Sequence, residues 1–132
     1  MAEKEALDQE KYIRLQLLAQ QLQQYQNNLE LIEQNLLELN RLKLSLDEFE
    51  KIEKGKTILV PLGQNIFTKA KLEDKKDLIV GIGSNVLIKK TIAGAKETII
   101  KQEEELTLIF KQLQEEMQKI YSYFEQLQKE AK

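Results

Sequence analysis

The sequence predicts a mainly α fold with a small β body: a long antiparallel two-helix coiled coil joined by two β-hairpins. Three observations predict it. All five glycines and the only proline of the 132 residues fall between Gly55 and Gly94. On either side of that segment apolar residues recur alternately three and four apart, the spacing that keeps one helix face against a partner helix. Within it, short runs rich in β-branched residues alternate with turn spellings. The chain is therefore divided into an N-terminal coiled-coil helix over 1–54, two β-hairpins forming an oligomerisation body over 55–91, and a C-terminal coiled-coil helix over 92–132.

The first helix carries its seam at Leu15, Leu18, Leu22, Tyr25, Leu29, Ile32, Leu36 and Leu39. Leu42, Leu46 and Phe49 continue three residues out of register, an insertion that locally overwinds a coiled coil, and Ser45-Leu-Asp-Glu48 spells a capping box. These two features predict a distortion or break just before the middle segment, with a continuous helix as the alternative. From Glu3 to Ile52 the helix would be roughly 75 Å long. The second seam runs through Ile92, Ile99, Leu106, Leu113, Ile120 and Leu127 at one core position, and Phe110, Met117, Phe124 and Ala131 at the other. Lys96 and Glu103 are its polar interruptions. Thr91 is the expected N-cap, with Gly94 weakening the first turn.

Between the helices, Lys56–Leu62, Ile66–Leu72, Asp77–Ile82 and Val86–Lys90 read as four strands. Gly63-Gln-Asn65, Glu73–Lys76 and Gly83-Ser-Asn85 separate them. So few short strands leave open edges and enclose little core, so pairing with other subunits is the economical expectation.

Composition narrows the chemistry. There is no cysteine and no histidine, which removes disulfides, thiol nucleophiles, Cys/His zinc sites and imidazole bases. No metal site and no cofactor is expected. The 20 Lys and Arg against 22 Asp and Glu give a net charge of −2, with no basic face for nucleic acid. No run is long and apolar enough to cross a membrane, and Met-Ala-Glu-Lys-Glu is not a signal-peptide core, so a cytoplasmic protein without a membrane partner is expected.

The local motifs resolve into structural roles. Gly55-Lys56-Thr57 resembles the end of a phosphate loop, but Glu50 stands where the motif needs glycine and a strand follows where a helix should. Gly81-Ile-Gly83 lacks the third glycine of a dinucleotide fingerprint, since Val86 occupies its place, and reads as a tight turn. Glu103-Glu-Glu105 points three ways around a helix and reads as a solvated face. Ala19–Asn28 is rich in glutamine yet keeps the heptad through Leu22 and Tyr25. No reading yields an enzyme.

At the far end of the predicted hairpin of helices the seam changes character. Asp8 and Lys11 take core positions, while Leu7, Tyr12, Ile13 and Leu17 lie off the seam and Tyr121 and Tyr123 flank Phe124 and Leu127. Apolar groups at a loosened helix end mark a contact surface. The plainer alternative is that they thicken the two-helix seam.

Ile58-Leu-Val-Pro-Leu-Gly63, Phe67-Thr-Lys-Ala-Lys71, Val80-Gly-Ile-Gly83 and the strand end Lys89-Lys-Thr91, set between two heptad helices, resemble the prefoldin family, in particular an archaeal-like alpha-type subunit. Two hairpins in place of one carry the likeness to the alpha class. The resemblance implies an ATP-independent co-chaperone, a holdase whose coiled-coil tips bind unfolded proteins and pass them to a group II chaperonin. It implies beta-type prefoldin subunits as partners, two alpha with four beta in a hexamer. By resemblance the tip contacts would be Leu7, Ile13, Leu17, Tyr121, Phe124, Leu127 and Ala131, and the oligomerisation contacts Ile58, Val60, Phe67, Ile79, Val86 and Ile88. A structural coiled-coil or filament-forming subunit that binds no client is the alternative.

Overall fold

The computed structural model describes residues 2–73 and 77–130. Helix α1 spans Ala2–Glu50, strands β1 Thr57–Gly63, β2 Ile66–Lys71, β3 Asp77–Gly83 and β4 Val86–Thr91 follow, and helix α2 spans Ile92–Glu130. The chain forms two compact units, Met1–Leu37 with Glu104–Lys132, and Glu38–Glu103.

In the first unit the seam side chains are withdrawn from solvent as the period requires. Leu15, Leu18, Leu22, Tyr25, Ile32 and Leu36 are half-buried and Leu29 is buried; on α2, Leu106, Phe110, Leu113, Met117, Ile120 and Phe124 are half-buried and Leu127 is buried. The aliphatic stem of Lys11 accounts for its half-buried place at a seam position, whereas Asp8 stays exposed. A polar bond ties the helices: the Tyr25 hydroxyl donates to Glu116 Oε2 at 2.8 Å. That bond to the carboxylate, with burial and the nearby charge, holds the Tyr25 phenol above its usual pKa.

In the second unit the expected slip of the α1 seam does not fall at Leu42 but after Leu46. The helix runs unbroken through Ser45 to Glu50, Leu42 is 48% exposed, and the half-buried Leu39, Lys43 and Leu46 keep the heptad, while Phe49, also half-buried, follows Leu46 by three where the heptad calls for four. Lys43 holds the seam position because its ammonium meets Glu103 Oε1 at 2.9 Å. The other polar interruption is matched in the same way: Lys96 Nζ lies 2.6 Å from Asp47 and 3.0 Å from Glu50. Lys43 faces Glu103 while Asp47, further along α1, faces Lys96, earlier along α2, so the two segments run antiparallel. Partly exposed ion pairs add little stability, yet each leaves a charge unpaired if the helices slide, which fixes their register.

Past Glu50, three-residue turns end the helix (Lys51 N to Glu48 O and Ile52 N to Phe49 O, both 3.1 Å), and Gly55, at φ +87°, turns the chain toward β1. Leu72, just beyond β2, is buried, and its amide donates to Lys56 O. The two hairpins are one device repeated 20 residues apart: Thr57 pairs with Lys71 as Asp77 pairs with Thr91, and the register shifts at Pro61/Gly63 and again at Gly81/Gly83. Each closes on a two-residue turn with both residues at positive φ, Gln64-Asn65 and Ser84-Asn85, the type I′ geometry whose twist matches a hairpin. The hairpins form separate two-stranded sheets. Lys90 fastens the second to α2, donating to Thr98 Oγ1 at 2.9 Å, and Thr98 in turn donates to Gly94 O.

Thr91 caps α2 as expected, its Oγ1 accepting from Gly94 N at 3.0 Å. Thr91→Ala is expected to lower stability by about 1 kcal/mol in urea denaturation, with Thr91→Ser close to the parent; equal losses for both would remove the cap from the account. Lys96, through its bond to Asp47, also holds that carboxyl below its usual 3.8, and Asp47 with Glu50 holds Lys96 above 10.5. A depressed acid stabilises fully above its unfolded pKa and loses that contribution as pH falls through its folded value; a raised base loses its contribution as pH climbs through its own. The melting-temperature loss in Asp47→Asn should therefore be flat from about pH 5 to about pH 9 and vanish on acidification below the usual aspartate range.

Candidate functional site

Each hairpin has two faces, and register decides which side chains share one. In the first, Ile58 and Ala70 are partners, as are Val60 and Thr68; in the second, Leu78 pairs with Lys90 and Val80 with Ile88. Apart from Thr68 these side chains are half-buried. The opposite face carries Leu59 and Phe67 in the first hairpin, 64% and 54% exposed, and Ile79 and Leu87 in the second, 69% and 68% exposed. Leu87 lies over Gly81, its Cδ2 at ordinary van der Waals distance, 3.6 Å, from where a Cβ would stand.

The residues expected to mediate oligomerisation thus divide. Ile58, Val60 and Ile88 lie on the inner, half-buried faces, whereas Phe67, Ile79 and Val86 stand exposed. Leu59 and Leu87 escaped the sequence reading although the two-residue turns hold the signal. Counting outward from each turn places Leu59 on the face of Phe67, and Leu87 on that of Ile79. Exposed lysines, Lys69 and Lys71 on the first outer face and Lys89 on the second, surround these apolar groups.

The expected tip residues fall in the first unit and also divide. Leu7, Ile13 and Leu17 are each more than half exposed, and Ile13 and Leu17, four residues apart, are neighbours on the side of α1 away from the seam. Tyr121 is exposed, Phe124 half-buried, and Leu127 buried within the seam. Ala131 lies outside the described residues. Tyr12, exposed and accepting from Gln16 Nε2 at 3.3 Å, adds a further aromatic group.

Between the helices of this unit the two flanks of the seam differ. One holds an open groove of about 560 Å³, floored by Leu29, Phe110 and Met117 and edged by Glu30, Glu33, Gln114 and Tyr121. The other holds a smaller recess of about 380 Å³ lined by Leu113, Tyr25 and the amides of Gln21, Gln24 and Asn28. Among the described residues no cluster of three or more His, Cys, Asp or Glu is placed to hold a metal ion, and no helix is long and apolar enough to cross a membrane.

Residues 18–132 match the family model described as "Prefoldin subunit". Among solved structures, the chain is similar to one described as a cryo-EM structure of filamentous PFD from Methanocaldococcus jannaschii, with a TM-score of 0.76 and 20% identity over 87% of this chain and 95% of that one. No curated protein sequence matches. The family match takes in part of α1, both hairpins and α2, and the fold agrees with it. This chain belongs to the prefoldin family.

Proposed function

We propose that this chain is an alpha-type prefoldin subunit and an ATP-independent holdase. It assembles through its hairpins, grips unfolded proteins with the exposed apolar end of its coiled coil, and passes them to a group II chaperonin. Prefoldins are non-enzymatic chaperones whose subunits form oligomers with other prefoldin subunits. The observation that carries the reading is that apolar side chains stand exposed where such a subunit needs them: on the outer hairpin faces at Leu59, Phe67, Ile79 and Leu87, and on the first unit at Leu7, Ile13, Leu17 and Tyr121. Covering a Leu- or Phe-sized group is worth roughly 1.5–3 kcal/mol before ordering costs. A few such groups hold a client weakly, and several subunits holding one chain together convert weak contacts into a firm, reversible grip. Beta-type subunits in a two-alpha, four-beta hexamer are the partners proposed, and the cytoplasm the compartment. The duplicated hairpin supports the alpha assignment.

A second reading is a filament-forming subunit without clients, favoured by the filamentous assembly of the similar Methanocaldococcus jannaschii protein. The mass of the particles, measured with and without a beta-type subunit, separates them. A defined hexamer that keeps a denatured protein in solution without ATP supports the holdase; long homo-oligomers that give no protection support the filament.

Removing Met1–Tyr12 together with Tyr121–Lys132 should abolish protection and preserve assembly. Protection that survives the deletion would overturn the placement of the grip. Leu59→Ser with Leu87→Ser should act in the opposite sense. Light scattering is expected to show dissociation toward single subunits, with helical circular dichroism unchanged because neither residue supports the seam.

A further inference from the structure

We infer that the groove beside Tyr121 seats an extended segment of an unfolded protein in which an apolar side chain stands next to lysine or arginine. This rests on the holdase reading and deepens it by naming which clients are preferred. The floor of Leu29, Phe110 and Met117 is apolar, and methionine adapts its shape to different side chains. A volume of about 560 Å³, open along one side, leaves room for a side chain with its adjoining backbone. Gln114, on the rim, can both donate to and accept from the unpaired amides of an extended chain.

Charge then selects. Glu30 and Glu33, one helical turn apart, stand on the rim, and the lining contains no lysine or arginine. A lysine or arginine beside the seated apolar group can lay its stem along the groove and bring its cation to these carboxylates. The opposite flank lacks this combination. Its recess is lined by amides and no carboxylate, and Glu116 there already accepts from Tyr25. Preference for cationic segments therefore belongs to one flank.

The full chain in its assembled form, titrated by fluorescence anisotropy with two dye-labelled peptides of equal length, one repeating Phe-Ser-Lys and the other Phe-Ser-Glu, tests this. The lysine peptide should bind about fivefold more tightly, as two exposed charge contacts would give. Glu30→Gln with Glu33→Gln should bring the ratio near unity, and Glu30→Lys with Glu33→Lys should invert it. Since the chain has no cysteine, a benzophenone on Gln114→Cys reports position: it should capture the lysine peptide where one on Gln24→Cys does not. Equal binding of both peptides, a ratio that survives neutralisation, or equal capture on both flanks overturns the inference. If protection of a denatured protein persists in those cases, the groove assignment alone fails; if protection and peptide binding are both absent, the holdase reading fails with it.

Discussion

A two-stranded ribbon has two faces and two open edges, and a single chain of this length covers only one face of each of its ribbons. Ile58, Val60, Leu78, Val80 and Ile88 take the covered side; period-2 geometry then forces Leu59, Phe67, Ile79 and Leu87 to the other, where each is more than half exposed. Apolar groups left open on strand faces favour association, which gives the family's oligomeric habit a direct physical cause. The lysines at Lys69, Lys71 and Lys89 temper it, because a charged ribbon resists indiscriminate pairing while a complementary partner can still satisfy it. Type I′ turns and the paired register shifts repeat this constraint in both hairpins. The second surface is therefore a copy of the first in geometry, with different side chains.

Much of this was legible in the sequence, because periodicity reports burial directly. Every seam position of α2 assigned by the 3-4 spacing from Ile92 to Leu127 is withdrawn from solvent. Leu127 illustrates the strength of the signal: the spacing that puts it in line with Leu113 and Ile120 also buries it. The reading failed where a polar residue held an apolar place. Leu42 continued the hydrophobic run and Lys43 did not, yet Lys43 occupies the seam because Glu103, remote in sequence, neutralises it. Spacing along one helix carries no information about which charge on the other will meet it. The outer hairpin faces were hidden for a related reason. The two hairpins share only Val60/Val80, Gly63/Gly83, Asn65/Asn85 and Lys69/Lys89 as identical pairs, so their 20-residue repeat shows in register before it shows in letters.

The polar contacts of the helices have a common logic. Lys43 with Glu103, Lys96 with Asp47 and Glu50, and Tyr25 with Glu116 all join α1 to α2, and each is satisfied in one alignment only. A purely apolar seam would tolerate sliding by a heptad at modest cost, whereas a slid seam here strands charges beside leucines. Their contribution is to specify alignment, and alignment decides which side chains meet across each flank.

That alignment gives the two flanks of the first unit different chemistries from similar ingredients. Glutamine is abundant on both, so the difference arises from which residues the fixed register brings together: Phe110 and Met117 with Leu29 beneath two carboxylates on one side, Tyr25 with Glu116 among amides on the other. On the proposed function this asymmetry has a consequence for release as well as for grip. A contact made of adaptable apolar groups with exposed charges at its edge is weak singly and screened by salt. Its strength in an assembly then depends on how many subunits engage the same chain. As a client folds, it withdraws its apolar segments from the grip, so holding by many weak contacts ends without a nucleotide or a titrating side chain to trigger it.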